Sequence, residues 1–101
     1  MFDNSKEYII CSAIRRIEPH PRAGMVYNDT GSVICGHRHG DILIFNSGIV
    51  SKKFEDQGFL TSEGRFVGRK EAAHIAAECG QIDPNNMRYG NKDYLYSEDI
   101  Y

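Results

Sequence analysis

Much that would point to a familiar class is missing from this chain. Its 101 residues hold three cysteines, Cys11, Cys35 and Cys79, and no C-x-x-C pair. An odd number, widely spaced, each inside an apolar run or on a helical stripe, is the pattern of buried free thiols. A disulfide framework or a structural zinc site is not expected. No apolar run approaches the length of a membrane span, and the opening MFDNSKEY lacks the apolar segment of a secretory leader. These absences place the expected protein inside the cell, away from membranes. An excess of positive charge is lacking too, with 12 Lys and Arg against 14 Asp and Glu, a formal net charge of −2. That argues against coating a nucleic acid polymer by phosphate neutralisation, and leaves room for a small anion held by local cations. Repeats, low-complexity tracts and linkers are absent. What remains reads as a single domain over residues 1–101, with 41% apolar and 26% charged residues, an ordinary globular composition. So short a chain buries a limited core, which makes a homo-oligomer an expected source of extra stability.

The clearest local signal is GFLTSEGRFVGRKEAAHIAAECGQI, from Gly58 to Ile82. It reads as strand, turn, strand and helix, with the turn at Ser62-Glu63-Gly64. Ala72, Ile75, Ala76 and Cys79 recur at i, i+3, i+4 and i+7, so the helix is expected over residues 69–80 with one apolar stripe. Glu71 stands where half of a capping box would, and Gly80 is placed to stop the helix. Upstream, Tyr8 to Ile14 reads as a buried strand and Ser32 to Gly36 as a second, the two pairing antiparallel. Between them lies a loop with a short edge segment at Met25-Val26-Tyr27 and a turn at residues 28–31. Ile42 to Phe45 fits a strand or a buried helix starting at Asp41, and its β-branched residues and the Asn46-Ser47-Gly48 stop favour the strand. Residues 1–6 are expected to be disordered. Tyr94 to Tyr101, with Tyr94 and Tyr96 alternating as on a strand face, reads as an acidic aromatic tail able to dock on a neighbouring subunit. The fold class is α+β, a small antiparallel sheet with one main helix and room for a second.

Two clusters could carry chemistry. In His37-Arg38-His39 with Asp41, the histidines could ligate a metal, one histidine could act as a general base, or Arg38 could pair a phosphate while a histidine adds a hydrogen bond. Standing alone, this would be a turn with solvated histidines. The second cluster breaks a helix rule: Arg69 and Lys70 occupy the first turn, where the helix dipole disfavours cations, and Arg65 is close. A helix start is an anion site, so three cations there point to a phosphate, although side chains directed into water would look the same in sequence. Arg88 is a further cation beside a turn. Phe59, Phe66, Tyr94 and Tyr96 supply rings on which a base could stack, though Phe59 and Phe66 also suit the core.

Four stretches, YIICSAI, SVICGHRHGD, the Gly58–Ile82 unit and LYSEDIY, fall in this order. Their series resembles the phage anti-Thoeris sponge proteins and related small phage early proteins. The shared pattern is I-x-C-A-A-I, C-G-x-R-H-x-D, GF-x-T-x-x-GRF-x-x-R-x-EA-x-x-IA-x-x-x-GQ and a terminal LYSEDLY, touching about half the chain. The resemblance implies a non-enzymatic α+β protein of the host bacterial cytoplasm. Its function would be to sequester a cyclic nucleotide immune signal without cleaving it. That signal is a cyclic ADP-ribose isomer or, in some members, a cyclic di- or trinucleotide, bound between subunits of a dimer or hexamer. The matching positions are Arg38 and His39 in the turn motif and Arg65, Phe66 and Arg69 in the GRF-x-x-R unit. Arg88 lies near the terminal motif but inside no shared pattern. No metal, cofactor or catalytic residue is expected. Gly40 replaces a histidine or aromatic residue, and Gly68 an acidic cap, so ligand preference and the helix start both depart from the pattern. A host-protein inhibitor acting through the tail, and a small phosphodiesterase using His37 or His39, are the competing readings.

Overall fold

The computed structural model describes residues 5–91 and 93–100; residues 1–4 of the expected disordered segment and Tyr101 of the tail lie outside them. Among the described residues, four strands form one antiparallel sheet: β1 (Ile9–Arg15), β2 (Val33–Gly36), β3 (Gln57–Thr61) and β4 (Phe66–Gly68). Their order is β2-β1-β3-β4. Two helices, α1 (His39–Phe45) and α2 (Arg69–Glu78), complete the α+β domain. In β1, Ser12 stands opposite Gly36 on one side and Phe59 on the other, and Phe59 is opposite Val67. Because strand side chains alternate, Ser12, Ile14, Phe59 and Val67 share one face.

Both helices cover that face. The stripe of α2 packs Ala72, Ala73, Ile75 and Ala76 against Ile9, Phe59, Val67 and Leu95. Burying Phe59 alone stabilises the fold by about 2–3 kcal/mol. A second cluster, Ile14, Ile42 and Val50, lies under α1. The small α2 residues let the helix approach the sheet closely, and Gly58 does the same within it, since a Cβ there would press into the Val67 carbonyl. Gly80, at φ 84°, ends α2 as expected. Gln81 N–H reaches the Ala76 carbonyl at 2.8 Å and Gly80 N–H the Ala77 carbonyl at 3.2 Å, a Schellman ending.

Several expectations are corrected. Ile42 to Phe45 is helical: His39 and Ile42 are buried, Leu43 is half-buried, and Ile44 and Phe45 face out. That is the one-sided burial of a helix, with Asp41 in the first turn, where the dipole favours an acid. An apolar run of four residues could not display this difference in advance. Met25-Val26-Tyr27 joins no strand; the chain makes a short 3-10 turn over Ala23–Met25 instead. Tyr94 and Tyr96 do not form a strand face either, since the segment holds an isolated bridge between Asn91 and Tyr94 and a 3-10 turn over Ser97–Asp99. Of the three free cysteines only Cys79 is buried, while Cys35 is exposed on the edge strand β2. Glu71 accepts a hydrogen bond from Arg65 Nη1 at 3.3 Å, and the Gly68 cap position provides no side-chain bond to α2.

Candidate functional site

The start of α2 is built around Arg69. Rather than pointing into water, this side chain turns inward and is 6% exposed. Its Nη1 donates to the Leu95 carbonyl at 2.9 Å and its Nη2 to Gln57 Oε1 at 3.1 Å. The guanidinium carbon lies 4.5 Å from the Tyr96 ring centroid and 5.2 Å from that of Phe54. A planar, weakly hydrated cation between aromatic rings is one of the few charged groups that tolerates burial. Burial lowers its pKa, and the charges of Tyr96 and Glu98 oppose that shift. Its Nε is buried without a hydrogen-bond partner.

Beside it sits His39, the first residue of α1, held edge-on to Phe59 with ring centroids 5.0 Å apart and an interplanar angle of 89°. His39 Nε2 lies 2.6 Å from the Gly58 carbonyl, which makes it the protonated, donating nitrogen. Burial, and secondarily the Arg69 charge, pull the pKa of His39 down to about 4. A histidine so committed is a poor general base at neutral pH.

Glu98 links these groups. Its Oε1 accepts from Ser97 Oγ at 2.7 Å and lies 3.5 Å from Arg38 Nη1. Hydrogen bonding from Ser97 holds the Glu98 carboxyl below the usual range against some burial, with Arg38 and His39 adding to the lowering. Glu98 and Arg88 line the same hollow of about 290 Å³, together with Gln81, Asn86 and Asp99. Four of the six residues singled out in the sequence, Arg38, His39, Arg69 and Arg88, are thus gathered about one carboxylate.

The other two lie elsewhere. Arg65 is held by Glu7 in a fork, Nε to Oε2 at 2.9 Å and Nη2 to Oε1 at 2.7 Å. That is a pairing of strand β4's approach to the N-terminal segment. Phe66 belongs to the opposite sheet face, where its ring lies 4.6 Å under the Arg15 guanidinium. The three cations expected at the α2 start therefore do not converge: Arg69 is internal, Arg65 is paired, and Lys70 lines a separate hollow with His74 and Asp93. Sequence reasoning missed Glu98, Gln57 and Phe54 as members of the cluster. Glu98 follows Ser97, which is buried with Leu95 in the terminal motif, and no local spacing in the sequence announces its partners.

The fold and this arginine-rich cluster define a small α+β protein, and its sequence family is one of bacteriophage. The chain belongs to the phage T4 y16D protein family, whose model matches residues 8–101. No curated protein and no solved structure matches it.

Proposed function

We propose that this phage protein is a non-catalytic binder of a small phosphate-bearing nucleotide, held around the place now taken by the Glu98 carboxylate. The observation that carries this reading is that one partly exposed carboxylate, Glu98, faces Arg38, with the Arg69 and His39 charges acting on it and Arg88 lining the same hollow. Such a carboxylate is an exchangeable stand-in for a ligand phosphate, which offers more acceptor oxygens to the same cations. Phe54, which lies against the Arg69 guanidinium, and Tyr94, edge-on to Phe54 at 6.2 Å, are both exposed and provide ring surface for a base. A cyclic nucleotide immune signal of the cyclic ADP-ribose class, sequestered intact in the host cytoplasm, is the ligand that the resemblance implies. A hollow of about 290 Å³ is at the small end for such a ligand, so enclosure by a second subunit belongs to the proposal.

The test is direct. Purified protein is mixed with cyclic ADP-ribose isomers and cyclic dinucleotides and filtered, and the retained fraction is heated and analysed by HPLC. Ligand recovered unchanged is the expected result. Glu98→Gln should then bind several-fold more tightly and Arg38→Ala at least roughly tenfold more weakly, the loss of a charge-assisted contact. Ligand that passes the filter, or emerges as product, overturns the reading.

A further inference from the structure

A different surface shares no lining residue with the Glu98 hollow. Ile17, Ile44, Phe45 and Ile49 are 62%, 72%, 82% and 44% exposed. The backbone brings their segments together: Ile17 N–H donates to the Ile49 carbonyl at 2.8 Å and Ile49 N–H to the Asn46 carbonyl at 2.9 Å, next to Phe45 at the last turn of α1. Solvent-facing aliphatic and aromatic groups concentrated in this way mark contact sites. Directly alongside is an open groove of about 730 Å³ whose lining includes Arg16, Ile17, Val50, Lys52, Lys53 and Asp56.

The charges of that groove select its occupant. Three cations line it against one carboxylate, in a chain whose net charge is −2. The one acid, Asp56, already accepts from Ser51 Oγ at 2.6 Å and lies 3.8 Å from Arg15 Nε. We propose that this face binds a partner protein segment presenting an apolar anchor flanked by Asp or Glu. The anchor seats on Ile17, Phe45 and Ile49, and its carboxylates meet Arg16, Lys52 and Lys53. A second copy placed by a two-fold axis through the groove would bring these cations against themselves, which costs affinity. The concavity suits a protruding side chain better than the flat surface of a bilayer.

Two fluorescein-labelled helical peptides provide the probe, with identical Leu and Phe anchors, one flanked by Asp and Glu and the other by Lys and Arg. Anisotropy should show the acidic peptide binding at least roughly tenfold more tightly, with affinity falling as salt rises. Phe45→Asp, and separately the double variant Lys52→Glu with Lys53→Glu, should abolish it while leaving the melting temperature unchanged, since all three side chains are exposed. Equal binding of both peptides, or of neither, overturns the proposal. So does a self-association in analytical ultracentrifugation that Phe45→Asp removes, which would make the face a contact between copies. Binding to phosphatidylserine vesicles that the same substitution removes would make it a membrane contact and overturn it equally.

Discussion

Arg69 and Leu95 bind each other twice: the Arg69 Nη1 donates to the Leu95 carbonyl at 2.9 Å, and the Leu95 N–H donates to the Arg69 carbonyl at 3.0 Å. This double tie fastens the C-terminal segment to the first residue of α2 and seats Leu95, wholly buried, in the main core. Arg69→Ala removes a buried side chain from between two rings and leaves the Leu95 carbonyl and Gln57 without their donor. The expected loss is about 3 kcal/mol, or roughly 10–20 °C in melting temperature for a domain of this size. Arg69→Lys should recover only part of it, since a single ammonium cannot reproduce the fork. Differential scanning calorimetry checks this, and an unchanged transition in Arg69→Ala would show that the clasp contributes nothing.

His39 makes stability depend on pH in a defined window. Its pKa falls from 6.5 to about 4 on folding, chiefly through burial, so the folded state prefers the neutral ring. A group whose folded pKa is depressed contributes stability that is present above the unfolded value and lost as pH falls through the folded one. The loss therefore runs from about pH 6.5 down to about 4, and at roughly 1.4 kcal/mol per unit it reaches the order of 3 kcal/mol. His39→Gln keeps a donor for the Gly58 carbonyl but does not titrate. Urea midpoints measured across the window should fall for the wild type and stay level for the variant. Parallel curves would refute the assignment.

Glu7 acts in a more acidic window. Hydrogen bonding from Arg65, helped by the Thr61 hydroxyl, holds its carboxyl below the ordinary 4.5, with partial burial opposing. The same sign rule applies: the stabilisation is complete above about 4.5 and disappears as pH falls through the lower folded pKa. Glu7→Gln should be less stable than wild type at neutral pH, and the two should converge in acid. A constant difference at every pH would mean that the fork is not an ionic contact.

How much of this was legible beforehand depended on period and length. The α2 stripe, the Gly80 stop and the antiparallel pairing of β1 with β2 follow from local pattern and appear as expected. Over Ile42 to Phe45 the run was too short for periodicity, and what decides it is tertiary, the seat of Ile42 between Ile14 and Val50. For the site, composition drew attention to the arginines but not to their partners. Arg65 and Arg69 share one motif and part company in the fold, because Glu7, six residues before Ala13 in sequence, takes the first and Leu95 takes the second. Pairings across so much intervening chain leave no trace in local spacing.

Asp99 organises the wall of the Arg88 hollow. Its Oδ1 accepts from the Tyr89 N–H at 2.9 Å, and its Oδ2 accepts from Gly90 N–H at 2.9 Å and Tyr96 N–H at 3.1 Å. One carboxylate thus gathers three backbone donors from two segments and shapes the loop that follows Arg88. A Cβ on Gly90 would collide with the Asp99 carboxylate and the Tyr94 carbonyl, so the approach is as close as the backbone allows. Asp99→Ala should cost about 2–3 kcal/mol, because charged acceptors of backbone donors are stronger than neutral ones. Asp99→Asn, with one acceptor oxygen left, should fall between. The discriminating readout is amide hydrogen exchange: Tyr89, Gly90 and Tyr96 should accelerate together in Asp99→Ala, while the α2 amides keep their protection. If those three amides exchange as in the wild type, the carboxylate does not hold the loop, and the Arg88 hollow must owe its shape to other contacts.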